Sequence, residues 1–133
     1  MMERRGIRRS FVSQFAKQPP ERMNIPERCV ASLNTHDTPT FAAFWGERPD
    51  PRAALRNNLN ALSRSPAERV LVNVEDLWLE AAPQNIPGTG SEAKNWRRKT
   101  RLNLEEILAD AAVQEELDLV AAARTQAAER DSG

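Results

Sequence analysis

The sequence predicts an α/β fold of parallel β/α units that is incomplete by itself. Short runs of strand character alternate with a helical apolar stripe, which argues for parallel units joined by crossovers. Only three such runs are present, and a parallel sheet needs both faces covered and both edges protected. The order read along the chain is strand, loop, strand, helix, strand, loop, helix, helix.

Phe11-Val12-Ser13-Gln14-Phe15 alternates apolar and polar and predicts the first strand, ended by Lys17-Gln18-Pro19-Pro20. From Glu21 to Arg28 the chain is polar, and Pro26 blocks regular pairing. Cys29 to Leu33 predicts a second strand, apolar enough to be covered on both faces. It runs into Asn34-Thr35-His36-Asp37-Thr38-Pro39-Thr40, which holds the only histidine, followed directly by an acid. An imidazole and a carboxylate at a strand's C-terminal end suit catalysis. An Asp before Thr-Pro-Thr equally suits a helix cap, and both readings of Asp37 stand on the residues alone.

Phe41-Ala42-Ala43-Phe44-Trp45 predicts a helical turn whose aromatics share one core-facing side, stopped by Gly46. Asp50-Pro51 predicts an N-cap and first turn for a helix over Arg52 to Ser63, with Leu55, Leu59 and Leu62 as its buried stripe. After Ser65-Pro66 comes the strongest strand signal, Arg69 to Val74, closed by a second acidic pair, Glu75-Asp76. Residues 82–90 carry two prolines and two glycines and predict an irregular loop. Within Asn95-Trp96-Arg97-Arg98-Lys99, the indole suits stacking on a sugar or base and the arginines suit oxyanions. A buried anchor ringed by solvated cations is the other reading of Trp96.

Asn103-Leu104-Glu105-Glu106 is a capping box opening a helix with Leu104, Ile107, Leu108 and Ala111 on one face. The phase then slips to Val113, Leu117, Val120 and Ala121, so a second helix is expected after a joint capped by Asp110. From Thr125 the chain is polar and is expected to fray.

The 133 residues suit one domain, and 40% hydrophobic with 29% charged residues suits a globular chain. The formal net charge is zero, giving no overall bias toward nucleic acid or anionic membrane. Charge is nevertheless uneven. Arg4, Arg5, Arg8 and Arg9 form one basic cluster, and Lys94, Arg97, Arg98, Lys99 and Arg101 form another. Glu105, Glu106, Asp110, Glu115, Glu116 and Asp118 make the tail acidic, and the clusters are expected to be solvated and to pair with it. Cys29 alone cannot form an internal disulfide and reads as a small buried hydrophobe in a reducing compartment. No apolar run approaches the roughly 20 residues of a membrane span. The start, Met1-Met2-Glu3-Arg4-Arg5, lacks the apolar core of a secretory signal. A cytoplasmic protein is expected, with no metal and no cofactor.

Asn34-Thr35-His36-Asp37, Asn73-Val74-Glu75-Asp76-Leu77, Gln84-Asn85-Ile86-Pro87-Gly88-Thr89 and Asn95-Trp96-Arg97-Arg98 together resemble the C-terminal part of the 4-α-glucanotransferases. These enzymes, also called amylomaltases or disproportionating enzymes, belong to the α-amylase superfamily. Order and approximate spacing match, and the resemblance spans from about Gly6 to the paired helices.

It implies the C-terminal portion, about strands 6 to 8 with their helices, of a TIM-type (β/α)8 barrel. On this reading residues 1–133 are one partial catalytic domain. Residues 10–103 supply barrel strands, helix and rim loops, residues 104–128 the C-terminal helices, and residues 129–133 a frayed tail. The implied activity is transfer of α-1,4-glucan segments between chains by retaining double displacement, which needs a nucleophile and an acid/base.

In the family an Asp after the fourth strand and a Glu after the fifth fill these roles, and both are missing from the matched portion. The resemblance gives Asp37 the third role, stabilising the oxocarbenium-like transition state, and gives His36 the binding of substrate hydroxyls. It assigns no catalytic role to Glu75 or Asp76, which are expected to hold the strand end and its loop.

The implied partners are a maltooligosaccharide or α-1,4-glucan and a separately encoded N-terminal portion of the same enzyme. The isolated chain is expected to be inactive and, with open sheet edges, to aggregate or oligomerise. The alternative is a non-catalytic carbohydrate-binding or interaction module using Trp45, Trp78, Trp96, His36 and Asp37.

Overall fold

A computed structural model describes residues 6–131, with the side chain of residue 131 excepted. Arg4 and Arg5 of the first basic cluster, and residues 132–133 of the expected frayed tail, lie outside the described residues. Three parallel strands, β1 (Arg9–Val12), β2 (Cys29–Ser32) and β3 (Arg69–Leu71), form a sheet in the order β1-β2-β3. Phe11 stands opposite Ala31, and Ala31 opposite Val70. The mixed α/β class with a parallel sheet is as expected.

The central strand carries the core. Cys29, Ala31 and Leu33 are buried, as expected of a strand covered on both faces. Burial also pushes the Cys29 thiol up from its ordinary pKa. Against β2 lies α2 (Pro51–Arg64), whose Leu55, Leu59 and Leu62 are buried as their spacing predicts. Each contributes roughly 1.5–3 kcal/mol by leaving water.

The outer strands are shorter than expected. The first begins earlier and stops at Val12, and Ser13–Phe15 turn as a 3₁₀ segment. The hydroxyl of Ser13 donates to Leu33 O at 3.3 Å and Gln14 N–H donates to the same oxygen at 3.2 Å, drawing the chain across the end of β2. Phe15 is therefore exposed rather than paired. β3 ends at Leu71, because Val74–Trp78 curl into a 3₁₀ turn that buries Leu77 and Trp78. Leu71 itself is 57% exposed on the open edge.

Between β2 and β3, α1 (Phe41–Trp45) is capped by Thr40, whose hydroxyl accepts from Ala43 N–H at 3.3 Å. Gly46 ends it at φ 62°, a conformation that costs glycine nothing. The shared core face of its aromatics is only partly realised. Phe41 is buried and Trp45 half-buried on it, their rings 5.9 Å apart, but Phe44 points out beneath the Arg48 guanidinium. Asp50 precedes α2 as expected yet makes no side-chain cap. It sits left-handed at φ 51°, ψ 55°, a conformation that a short polar side chain such as aspartate tolerates better than most.

The capping box is realised in α3 (Leu104–Ala109). Asn103 N–H donates to Glu106 Oε2 at 2.7 Å, and Glu106 N–H donates to Asn103 Oδ1 at 2.9 Å. Asp110 forms the expected joint, its Oδ1 accepting from Ala112 and Val113 N–H. The expected apolar face of α3 is not buried. Leu104 and Leu108 are 64% and 63% exposed, and this short helix meets the core through Ile107.

α4 (Ala111–Asp131) stays helical where fraying was expected, and it buries Val113, Glu116, Ala123 and Ala127, not Leu117 or Ala121. Two polar contacts with α2 set this phase. Arg56 Nη2 donates to Glu116 Oε1 at 2.9 Å. Arg124 donates to Ser63 O, Ser65 O and Ala67 O, satisfying carbonyls at and beyond the C-terminal end of α2. Among the described residues, Glu115 and Glu116 of the acidic tail pair with Arg56. Arg8 pairs with Glu68, and Arg98 lies 3.5 Å from Glu80. No helix among the described residues is long and apolar enough to cross a membrane.

Candidate functional site

A cavity of about 350 Å³ opens at the C-terminal edge of β2 and β3, lined by residues that follow both strands and by the irregular loop beyond. Parallel sheets place their ligands at this edge, where several chain reversals converge.

Asn34 and Asp76 form its floor. Asp76 is 1% exposed; its Oδ1 accepts from Phe41 N–H at 2.8 Å and its Oδ2 from Asn34 Nδ2 at 2.8 Å. Asn73 Nδ2 donates to Asn34 Oδ1. One carboxylate therefore ties the end of β2, the first turn of α1 and the turn after β3. Burial pushes its carboxyl above the ordinary aspartate range, both hydrogen bonds pull it back, and the neighbouring Glu75 adds a further push upward. The expected structural role of Asp76 is what its bonds show.

His36 and Asp37 stand above this floor in a turn closed by Thr38 N–H donating to Thr35 O at 3.1 Å. His36 Nε2 lies 3.1 Å from Asp37 Oδ2. Asn85 Nδ2 donates to Asp37 Oδ1 at 2.8 Å, so both carboxylate oxygens have partners. His36 lines the cavity; Asp37 sits at its rim with its side chain 54% exposed. Thr40 and Asp76 serve the N-terminus of α1, which leaves the capping reading of Asp37 without support.

The far wall comes from residues 79–103, a long irregular stretch fixed by hydrogen bonds. Gln84 is its hinge pin: its Nε2 donates to Glu75 Oε1 at 2.6 Å, and its backbone O accepts Trp96 N–H at 2.8 Å. Asn95 Oδ1 accepts from Ile86 N–H, and Asn95 Nδ2 donates to Thr89 Oγ1. Arg97, Arg98 and Arg101 donate to backbone carbonyls, at Ala93, Ala82 and Trp78 respectively, while Lys94, Arg97, Lys99 and Arg101 stay exposed, as expected of a solvated cluster. Trp96 is 62% exposed, and its ring centroid lies 5.7 Å from that of His36. The buried-anchor reading of Trp96 is overturned.

The other two tryptophans lie elsewhere. Trp78 is buried in the core, and Trp45 is held between the ring of Phe41 and the guanidinium of Arg48. Among the described residues no group of His, Cys, Asp and Glu is arranged to hold a metal ion.

Residues 1–104 match the family model described as 4-alpha-glucanotransferase. The chain belongs to that family. Its fold is also similar to that of the amylomaltase from Streptococcus agalactiae, solved in complex with acarbose. The TM-score is 0.69 at 14% identity, over 92% of this chain and 28% of the amylomaltase. The chain therefore spans less than a third of the length of that structure.

Family membership does not by itself explain why these residues meet. Reasoning from sequence singled out His36, Asp37 and Trp96, and the fold brings them to one cavity and its rim. It missed Gln84 and Asn85 as site residues, although both stand in a segment shared with the family. Their signal is chemical: adjacent amides within a proline-fixed loop present donors to two carboxylates, those of Glu75 and Asp37.

Proposed function

We propose that this chain is the C-terminal portion, about strands 6 to 8, of the (β/α)8 catalytic domain of a 4-alpha-glucanotransferase. It works on maltooligosaccharides or α-1,4-glucans with a separately encoded N-terminal portion of the same enzyme. The observation that carries this reading is the His36–Asp37 pair at the C-terminal end of β2, its carboxylate held between Asn85 and His36 at the rim of the cavity.

Transfer with retention first breaks the glycosidic bond to form a glycosyl-enzyme and then breaks that glycosyl-enzyme bond as the acceptor hydroxyl adds, each time through an oxocarbenium-like state. Positive charge then develops at the anomeric carbon, and Asp37 stabilises it as a fixed carboxylate that needs no reorganisation. His36, whose Nε2 faces Asp37, offers its other ring nitrogen, Nδ1, to a sugar hydroxyl. The nucleophile and the acid/base come from the N-terminal portion, so the isolated chain supplies one acid and does not turn over. This assignment makes the open edges of β1 and β3 joining surfaces rather than solvent-exposed termini of a finished sheet.

Co-expression with an N-terminal portion of a family enzyme carrying both missing carboxylates tests the reading. Disproportionation of maltotriose well above that of either piece alone is the expected result. Stable association without any activity would refute catalysis. A non-catalytic carbohydrate-binding module is the second reading, favoured by the exposed indole of Trp96. It predicts maltooligosaccharide binding by the chain with no gain in turnover on complementation.

A further inference from the structure

We propose that Trp96 is a sugar-stacking platform, its indole held by a left-handed backbone so that its face meets a pyranose lying beside His36. This deepens the glucan reading above and rests on it. Two unfavourable features coincide on this residue. Its φ is +57°, a conformation costly for any side chain larger than glycine or asparagine, and its large apolar ring is mostly exposed. A residue strained and exposed together persists only when the surroundings over-determine it.

They do so here. Gln84 O accepts Trp96 N–H, while the Gln84 side chain is anchored on Glu75, and the preceding Asn95 is bonded to both Ile86 and Thr89. Nothing in this clamp buries the ring; the clamp aims it. Beside the indole stand His36, Thr38, Glu75 and Thr100 in a cavity of about 350 Å³. That is the lower end of the usual ligand-pocket range of roughly 300–1,000 Å³. A pyranose has an apolar C–H face and a rim of hydroxyls, so it asks for a flat apolar surface next to polar side chains. The imidazole, tilted 44° to the indole, closes one side of that surface.

The test uses the full chain and maltoheptaose, with binding followed by the indole N–H signals of the three tryptophans and stability by thermal melting. Trp96→Gly removes the ring and relieves the strain together, since glycine adopts positive φ freely. The expected result is maltoheptaose affinity lowered about tenfold with a melting temperature equal to or above the parent's. Trp96→Phe should keep part of the affinity, and Trp45→Phe all of it. Equal maltoheptaose binding by Trp96→Gly and the parent would overturn the platform alone. A lower melting temperature in Trp96→Gly, with affinity unchanged, would make the residue structural. Absence of saturable binding by the parent would overturn the platform, while the glucan reading is decided separately by disproportionation in the complementation assay.

Discussion

Asp37 and Asp76 follow neighbouring parallel strands at the same edge of the sheet, and the fold uses them in opposite ways. Asp76 is buried, accepts from a backbone N–H and a side-chain amide, and joins three segments. Asp37 is half in solvent, held by one amide and one imidazole, and joins only its own turn to the loop at Asn85. The buried acid spends its hydrogen-bonding capacity on the scaffold. The exposed one keeps lone pairs and a face open to a ligand. A strand end is thus a place for two kinds of carboxylate, and what separates them is which groups already claim their oxygens.

The largest difference should appear in turnover. In the complemented enzyme, Asp37→Asn is expected to lower the rate of maltotriose disproportionation by about 10²–10³-fold, the usual loss when one preorganised electrostatic group is removed. Its melting temperature should stay near that of the parent. A comparable loss of stability would erase the contrast with Asp76.

Stability is where Asp76 should dominate. Asp76→Ala leaves the Phe41 N–H and the Asn34 amide without their buried acceptor, which costs roughly 1–3 kcal/mol for each unsatisfied group. Urea denaturation should therefore show a marked fall in midpoint, against little change for Asp37→Ala. The milder Asp76→Asn can be accommodated if the Asn34 and Asn73 amides reverse together, since each presents a donor and an acceptor.

That same variant isolates a pH effect. Burial holds the folded Asp76 carboxyl above its ordinary range, so between the unfolded and folded pKa values the native state keeps a proton that the unfolded chain has lost. Stability rises with pH only where the unfolded state binds more protons, so here the contribution of Asp76 falls as pH rises. It is fully present below the unfolded pKa and lost as pH passes through the folded one. The difference in unfolding free energy, parent minus Asp76→Asn, should thus decline from mildly acid to neutral pH. A rising difference would mean that its hydrogen bonds outweigh burial.

How much of this was legible beforehand follows from distance along the chain. Several local signals read true: the Leu55, Leu59 and Leu62 stripe, the Asn103–Glu106 box and the Asp110 joint all involve residues within a few positions of one another. The Asp50 cap and the α3 face are local signals that failed, and the other misreadings involve partners that sequence spacing does not reveal. Ser13 reaches Leu33 O across 20 positions and so ends β1 early. The inward turn of Glu116 depends on Arg56, 60 positions away. Apolar periodicity identified Val113 but had no means of showing that a glutamate would share its buried face.

Asn85 offers the finest division between the two carboxylates. Its single bond to Asp37 crosses 48 positions and lies near the surface, where a neutral partner's net contribution is roughly 0.5–1.5 kcal/mol. Asn85→Ala should leave the urea midpoint nearly unchanged, because no buried group loses a partner. In the complemented enzyme it should slow maltotriose disproportionation by up to about tenfold, the rate equivalent of that energy. The loss should fall on kcat more than KM if the bond orients Asp37 for the transition state and not for ground-state binding. Asn85→Asp should be worse, since a second carboxylate would replace the donor that now faces Asp37 Oδ1. A variant that lost stability but kept its kcat would show that the loop merely braces the rim, and Asp37 would then owe its position to its own turn and to His36.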